Sequence, residues 1–239
     1  MFEKFRKNFL PGSKNDINRV VWLEQKLKEI PAGSRILDAG AGEKRFLKYC
    51  PHLNYVSQDF SQYDGIGNGK GLQMGSWNQK DLDIISDITK IPEPNESFDA
   101  ILCSEVFEHI PNPQLAIREF SRLLKKGGQL IITAPFCCGT HFAPYIFYTG
   151  FSLYFYKKYL AENGFEIIEI KENGNFFEYV AQEIKRVPTV SKIYSAGKIY
   201  PWDYFIFVFM LLILRRLSKK GQKTSEFLNF GIFIHAIKK

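Results

Sequence analysis

Two kinds of apolar pattern alternate along this chain. Across residues 15–30, NDINRVVWLEQKLKEI, Ile17, Val20, Val21, Leu23, Leu27 and Ile30 recur at helical spacing. Asn15 or Asp16 is placed to cap that helix, and Pro31, Ala32 and Gly33 end it. ILDAG is then a short unbroken apolar run, the pattern of a buried strand, and a helix is expected from about Glu43 to Cys50. NYVSQDF, LDIISD and FDAILCS read as the second, third and fourth strands. Between the second and third, DGIGNGKGLQMG is glycine-rich and reads as a mobile loop. Asn112 and Pro113 open a helix, PQLAIREFSRLLKK, expected to close on Gly127 and Gly128. QLIITAPF is a fifth strand, FSLYFYKKYLAENGF a helix ending at Gly164, FEIIEI a sixth strand and FGIFIHAIKK a last one.

Strands alternating with helices at short intervals predict an α/β fold around a mostly parallel sheet. Right-handed crossovers line the carboxyl ends of the strands along one rim, where ligands bind. The expected organisation is a single domain over residues 1–239 that carries a helical insertion, residues 172–228, before the last strand. Within it FFEYVAQEIKRV is helix-like, and DYFIFVFMLLILRRLSKK is apolar and then basic.

The rim chemistry begins at Gly40 and Gly42, where the first strand turns sharply. Missing side chains there let a ligand approach backbone N–H groups. A nicotinamide fingerprint wants a third glycine where this chain has Arg45, and no phosphate-loop motif is present. Asp59 closes the second strand about twenty residues on, the place for an acid that accepts both ribose hydroxyls. Asp87 closes the third strand, where its carboxylate either accepts an adenine amino proton or caps the turn at Thr89 and Lys90.

With these residues in hand the chain resembles the class I S-adenosylmethionine-dependent methyltransferases of the small bacterial type. ILDAGAG, SQDF, SDITKIP, FDAILCSEVFEHIPNP and EFSRLLKKGGQLIITAPF carry the resemblance, which spans about residues 35–136 and resumes at YLAENGFEIIEI. It implies a Rossmann-like sheet of seven strands, mostly parallel, with an antiparallel last strand and helices on both faces. It implies S-adenosyl-L-methionine as cofactor. Asp38, Gly40 and Gly42 would face its methionine part, Asp59 its ribose, and Phe60, Asp87 and Ile88 its adenine. Ser104 and Glu105 would line the pocket. The family's turn often carries a further glycine where this chain has Lys44.

For a hydroxyl acceptor a general base is needed, and His109 and His141 lie just past the fourth and fifth strands. Tyr145 and Tyr148 are expected as walls of the acceptor site. No metal is expected, because the four cysteines lack ligand spacing and Cys137 and Cys138 are adjacent. The expected reaction is methyl transfer to a small-molecule, sugar or lipid-linked acceptor. The alternatives are an RNA methyltransferase and a cofactor-binding scaffold without catalysis.

Charge sharpens the picture at one end. The chain has net charge +7, yet residues 185–239 hold 11 Lys/Arg against 2 Asp/Glu, and the remainder holds 21 against 23. A local anionic surface is therefore expected, not a chain-wide nucleic-acid coat. FIFVFMLLIL, residues 205–214, is ten apolar residues, far short of the ~20 that span a bilayer. Three readings stand for residues 200–220: a core helix under a lid, a peripheral membrane contact, or an apolar wall for a lipid-linked acceptor or a homodimer. MFEKFRKNFLPGSKND lacks the apolar core of a signal peptide, so a cytoplasmic protein is expected, with the inner membrane face as the site of any peripheral contact.

Overall fold

The computed structural model describes residues 11–195, 197–220 and 223–239, so most of the amino-terminal stretch read for a leader lies outside the described residues. Two compact units form: Val21–Lys171 with Gly231–Lys239, and residues 11–20 with Glu172–Phe230.

The first unit is built on β1 (Arg35–Ala39), β2 (Asn54–Asp59), β3 (Ile84–Ile85), β4 (Phe98–Ser104), β5 (Leu124–Pro135), β6 (Phe165–Asn173) and β7 (Gly231–Lys238). The sheet order is β3-β2-β1-β4-β5-β7-β6. β1 pairs parallel with β2 and β4, β2 with β3, and β4 with β5. β7 runs antiparallel to β5, from Gln129↔Ile237 to Pro135↔Gly231. The strand order reverses between β1 and β4, and a crevice opens outside their carboxyl ends at such a point.

Ile101, Leu102 and Cys103 are all fully buried, as are Ile36 and Leu37. Consecutive burial means both sheet faces are covered, which is why these strands read as unbroken apolar runs without alternation. α1 (Asn15–Glu29) and α2 (Pro113–Leu123) supply helical stripes, α2 through Ala116, Ile117, Phe120 and Leu123. α3 (Leu153–Glu162) buries Tyr156 and Leu160.

Three elements differ from expectation. The helix expected over residues 43–50 is one 3-10 turn, Leu47–Tyr49. α2 stops at Leu123, and the lysines and glycines after it open β5 with a register shift against β4. The third strand shrinks to two residues, because Asp83 leaves the ladder and its carboxylate accepts from the Ser57 backbone N–H at 2.8 Å and hydroxyl at 2.6 Å.

In the second unit, α4 (Phe176–Tyr194) and α5 (Pro201–Ser218) form a helical hairpin. Leu211 and Leu214 of α5 are buried with Ala181 of α4, flanked by Phe177, Val180 and Ile184. Asn175 caps α4, its side-chain oxygen accepting from the Glu178 N–H at 3.1 Å.

Candidate active site

The carboxyl ends of β1, β2 and β4 converge on one set of polar groups. After β1 the chain turns at Gly40, and the N–H groups of Gly40 and Ala41 both donate to the Gln58 carbonyl at 2.8 Å. Gly42 has φ +51°, and a Cβ there would meet the Trp77 ring at 2.6 Å. Its backbone N–H donates to Asp59 Oδ2 at 2.9 Å. Asp59 Oδ1 accepts from the Ser61 N–H at 3.0 Å and from the Gln79 amide at 2.8 Å. Two of the three donors are thus backbone, and Gln79 is the side-chain donor.

Asp38 is buried and accepts a short hydrogen bond from the Tyr55 hydroxyl. Burial pushes its carboxyl from 3.8 up to about 7, against the lowering effect of Tyr55 and with a further push from Asp59. The folded chain therefore keeps a proton that the unfolded chain sheds near 3.8. The contribution to stability is fully present below that value and falls as pH rises through about 7. Asp38→Asn, which retains an acceptor for Tyr55, is expected to flatten the fall in melting temperature across this window, read by calorimetry at a series of pH values.

Ser104, at the end of β4, shares a 2.9 Å hydrogen bond with Thr133 Oγ1, which in turn donates to Glu105 Oε1 at 3.0 Å. Glu105 sits at φ +56°. Phe60 follows Asp59 and meets the edge of Tyr145 at 5.0 Å between ring centroids. Ile88 is buried. Asp87 is exposed, and its Oδ1 accepts from the Thr89 N–H and hydroxyl at 2.8 and 2.7 Å, the turn-capping role.

The two histidines meet. Their ring centroids lie 4.8 Å apart, and Glu108 Oε1 is 3.7 Å from each Nε2. Glu108 is 1% exposed, and its Oε2 has no hydrogen-bond partner among the described residues. His109 Nδ1 lies 2.5 Å from the Tyr145 carbonyl and His141 Nδ1 2.9 Å from the Gly139 carbonyl. A carbonyl only accepts, so each Nδ1 carries the proton and each Nε2 turns toward Glu108. Their titration then diverges. Burial holds His109 below 6.5, helped by the neighbouring His141 charge and opposed by Glu108. Burial works the same way on His141, yet Cys138, the Glu108 carboxylate and the Gly139 carbonyl raise it to about 10. At neutral pH His109 is a base with a free lone pair and His141 is a cation.

The glycine-rich segment expected to be mobile is hydrogen-bonded instead. Asn68 N–H donates to the Ala143 carbonyl at 3.0 Å, Leu72 N–H to Thr140 at 2.9 Å, and Phe142 N–H to Leu72 at 3.1 Å. At Gly71 a Cβ would stand 2.4 Å from the Thr140 carbonyl, so a close backbone approach requires glycine. The segment brings Tyr63 to stack on Phe142 at 4.4 Å, and Trp77 packs on the same ring at 5.3 Å. Phe142 in turn stacks on His109 at 5.1 Å. Tyr145 therefore stands at the site, while the Tyr148 hydroxyl is held by the Pro111 carbonyl at 3.0 Å. Tyr55, Tyr63, Trp77, Gln79, Glu108 and Phe142 were not marked by the sequence. Of these, Glu108 had a signal in its place between the singled-out Glu105 and His109.

Residues 37–132 match a family model described as "Methyltransferase domain". A ubiquinone biosynthesis O-methyltransferase of Dechloromonas aromatica (strain RCB) is 33% identical over 125 residues, 50% of this chain and 52% of the relative. A sarcosine/dimethylglycine N-methyltransferase of Aphanothece halophytica is 26% identical over 176 residues, 67% of this chain and 63% of the relative. The chain thus spans about half to three fifths of the length of the curated relatives it matches. Among solved structures, Haemonchus contortus phosphoethanolamine N-methyltransferase 2 in complex with S-adenosyl-L-methionine shares the fold at TM-score 0.51 and 17% identity, over 96% of this chain and 53% of that one.

Proposed function

We propose that this chain, a member of the class I S-adenosylmethionine-dependent methyltransferases, binds S-adenosylmethionine across the tips of β1, β2 and β4 and methylates a hydroxyl of a small-molecule acceptor. One observation carries the reading. A glycine turn donates its Gly42 N–H to the buried Asp59 carboxylate at a position where any Cβ would collide with the Trp77 ring, and on the same rim the neutral imidazole of His109 has its Nε2 unused by any backbone partner.

S-adenosylmethionine, when bound, supplies a methyl group activated by a cationic sulfur. The chain's task is to align the acceptor oxygen and keep water out, and such orientation is worth roughly 7–11 kcal/mol. Asp59 holds the ribose diol, with Gly42 and Ser61 fixing the carboxylate. Phe60 and Ile88 offer apolar surface to the adenine, with Asp87 at its edge. Asp38, Gly40 and Gly42 face the methionine part, and Ser104 and Glu105 line the floor. His109 Nε2 takes the acceptor proton, and His141, paired to Glu108, sets a positive charge near the oxygen as it loses that proton. Tyr145 and Tyr148 bound the acceptor side. The finer description, a lipid-linked acceptor, draws on the exposed apolar hairpin of the second unit.

The test pairs titration calorimetry with turnover. The purified chain is expected to bind S-adenosylhomocysteine and to methylate at least one member of a panel of phenols, sugars and prenylated hydroxy compounds. Binding without turnover on hydroxyl and amine panels would leave a cofactor-binding scaffold. Methylation of RNA alone, weakening steeply with salt, would replace the small-molecule reading.

A further inference from the structure

The hairpin of α4 and α5 exposes more apolar side chain than any other described part of this chain. On α5, Trp202, Phe205, Phe209 and Leu212 follow one another at helical spacing along one line, with exposures of 60, 78, 63 and 44%. Ile206, Val208 and Met210 broaden the line into a face and are exposed as well. Only Leu211 and Leu214 are buried on this helix, against α4. At the facing end of α4, Val187, Val190 and Ile193 are also exposed. Exposed patches of this kind mark a contact with something else.

The charges identify that contact. One end of the apolar line carries exposed Lys192 and Lys198. The other carries exposed Arg216, on the same helical line, and Lys219 and Lys220. The sole acid on α5 is Asp203, whose carboxylate is engaged by the Tyr200 N–H at 2.7 Å. A second copy seated on this face would set cations against cations, whichever way it ran. A surface with negative charge at both ends and an apolar middle fits the face, and Tyr200 and Trp202, stacked at 4.7 Å, belong to the residue types of a membrane interface. No helix among the described residues is long and apolar enough to cross a membrane.

We infer that α5 lies in the plane of an anionic lipid bilayer, its Trp202–Leu212 face at the acyl boundary and its flanking lysines and Arg216 on the headgroups. The inference stands on the second unit alone and does not depend on the methyl-transfer reading. The face is about 15 Å long at the helical rise, which suits an in-plane contact.

Vesicle sedimentation of the full chain tests it. Binding is expected to vesicles of phosphatidylcholine with about a third phosphatidylglycerol, at least about tenfold tighter than to phosphatidylcholine alone, and weaker at high salt. Phe205→Ser with Phe209→Ser is expected to lower binding about tenfold or more. Arg216→Glu, Lys219→Glu and Lys220→Glu together should remove the preference for the anionic vesicles. An unchanged melting temperature shows that each variant still folds. Equal binding to both vesicle types, no binding to either, or undiminished binding by the folded Phe205/Phe209 variant would overturn the inference. So would a concentration-dependent dimer that excludes vesicle binding and that the same two substitutions dissolve.

Discussion

Asp59→Ala is expected to weaken binding of S-adenosylhomocysteine on the order of 100-fold while leaving a folded chain. The carboxylate organises three donors, the Gly42 and Ser61 N–H groups and the Gln79 amide. Hydrogen bonds to a charged group are worth roughly 1.5–3 kcal/mol each. Losing two to a ribose diol gives about 3 kcal/mol or more, and each 1.4 kcal/mol is about tenfold. The variant also releases the glycine turn, so the loss falls on the cradle as well as on the diol. Asp59→Asn keeps one oxygen acceptor and should fall between the two. Calorimetry reads the affinities and thermal melting reads the fold. An unchanged dissociation constant in a folded Asp59→Ala protein would remove the ribose role.

His109→Ala should lower kcat by roughly 10²–10⁴-fold on a hydroxyl acceptor at saturating cofactor, with cofactor affinity nearly unchanged. The sign of the pH dependence follows from its environment. His109 must be neutral to take a proton, and burial holds its pKa below 6.5, so the acid limb of kcat lies below the ordinary histidine range. The neighbouring His141 charge lowers it further. His141→Gln removes that charge and is expected to move the acid limb upward, besides lowering kcat. Turnover should survive chelators. If EDTA abolished it and a divalent ion restored it, the Glu108, His109 and His141 groups would act as ligands and not as a proton path. A kcat within tenfold of the parent in His109→Ala would dismiss the base.

Much of the fold could be read before any coordinates. β1, β4 and β5 announce themselves because a strand buried on both faces reads as a near-continuous apolar run, and α2 because one stripe must be apolar while its other face is wet. The glycine turn and Asp59 were readable for a related reason. They sit at strand ends, where topology alone decides which groups share a rim. The short third strand and the lost helix after β1 were not readable. Each turns on one competing contact, Asp83 on Ser57 and the turn around Gly42 on Asp59, and neither leaves a periodic trace.

The arrangement of the histidines was out of reach of the sequence. His109 and His141 each stood near the rim as equal candidates for a base. Their division into a neutral group and a cation comes from the deeper burial of His109 beside the His141 charge, and from the Cys138 and Glu108 contacts that raise His141. Likewise the glycine-rich segment looked free because its residues favour no local structure, yet it is held by Thr140 and Ala143, about seventy residues away in sequence. By itself, then, the sequence determined the α/β layering, the rim turn with its acid, and the basic apolar hairpin, since local periodicity and strand order suffice for these. The tertiary structure alone decided protonation, the aromatic wall of Tyr63, Trp77 and Phe142, and which apolar side chains of α5 stay exposed. Those depend on distances between residues far apart in the chain, and burial and charge act through distance.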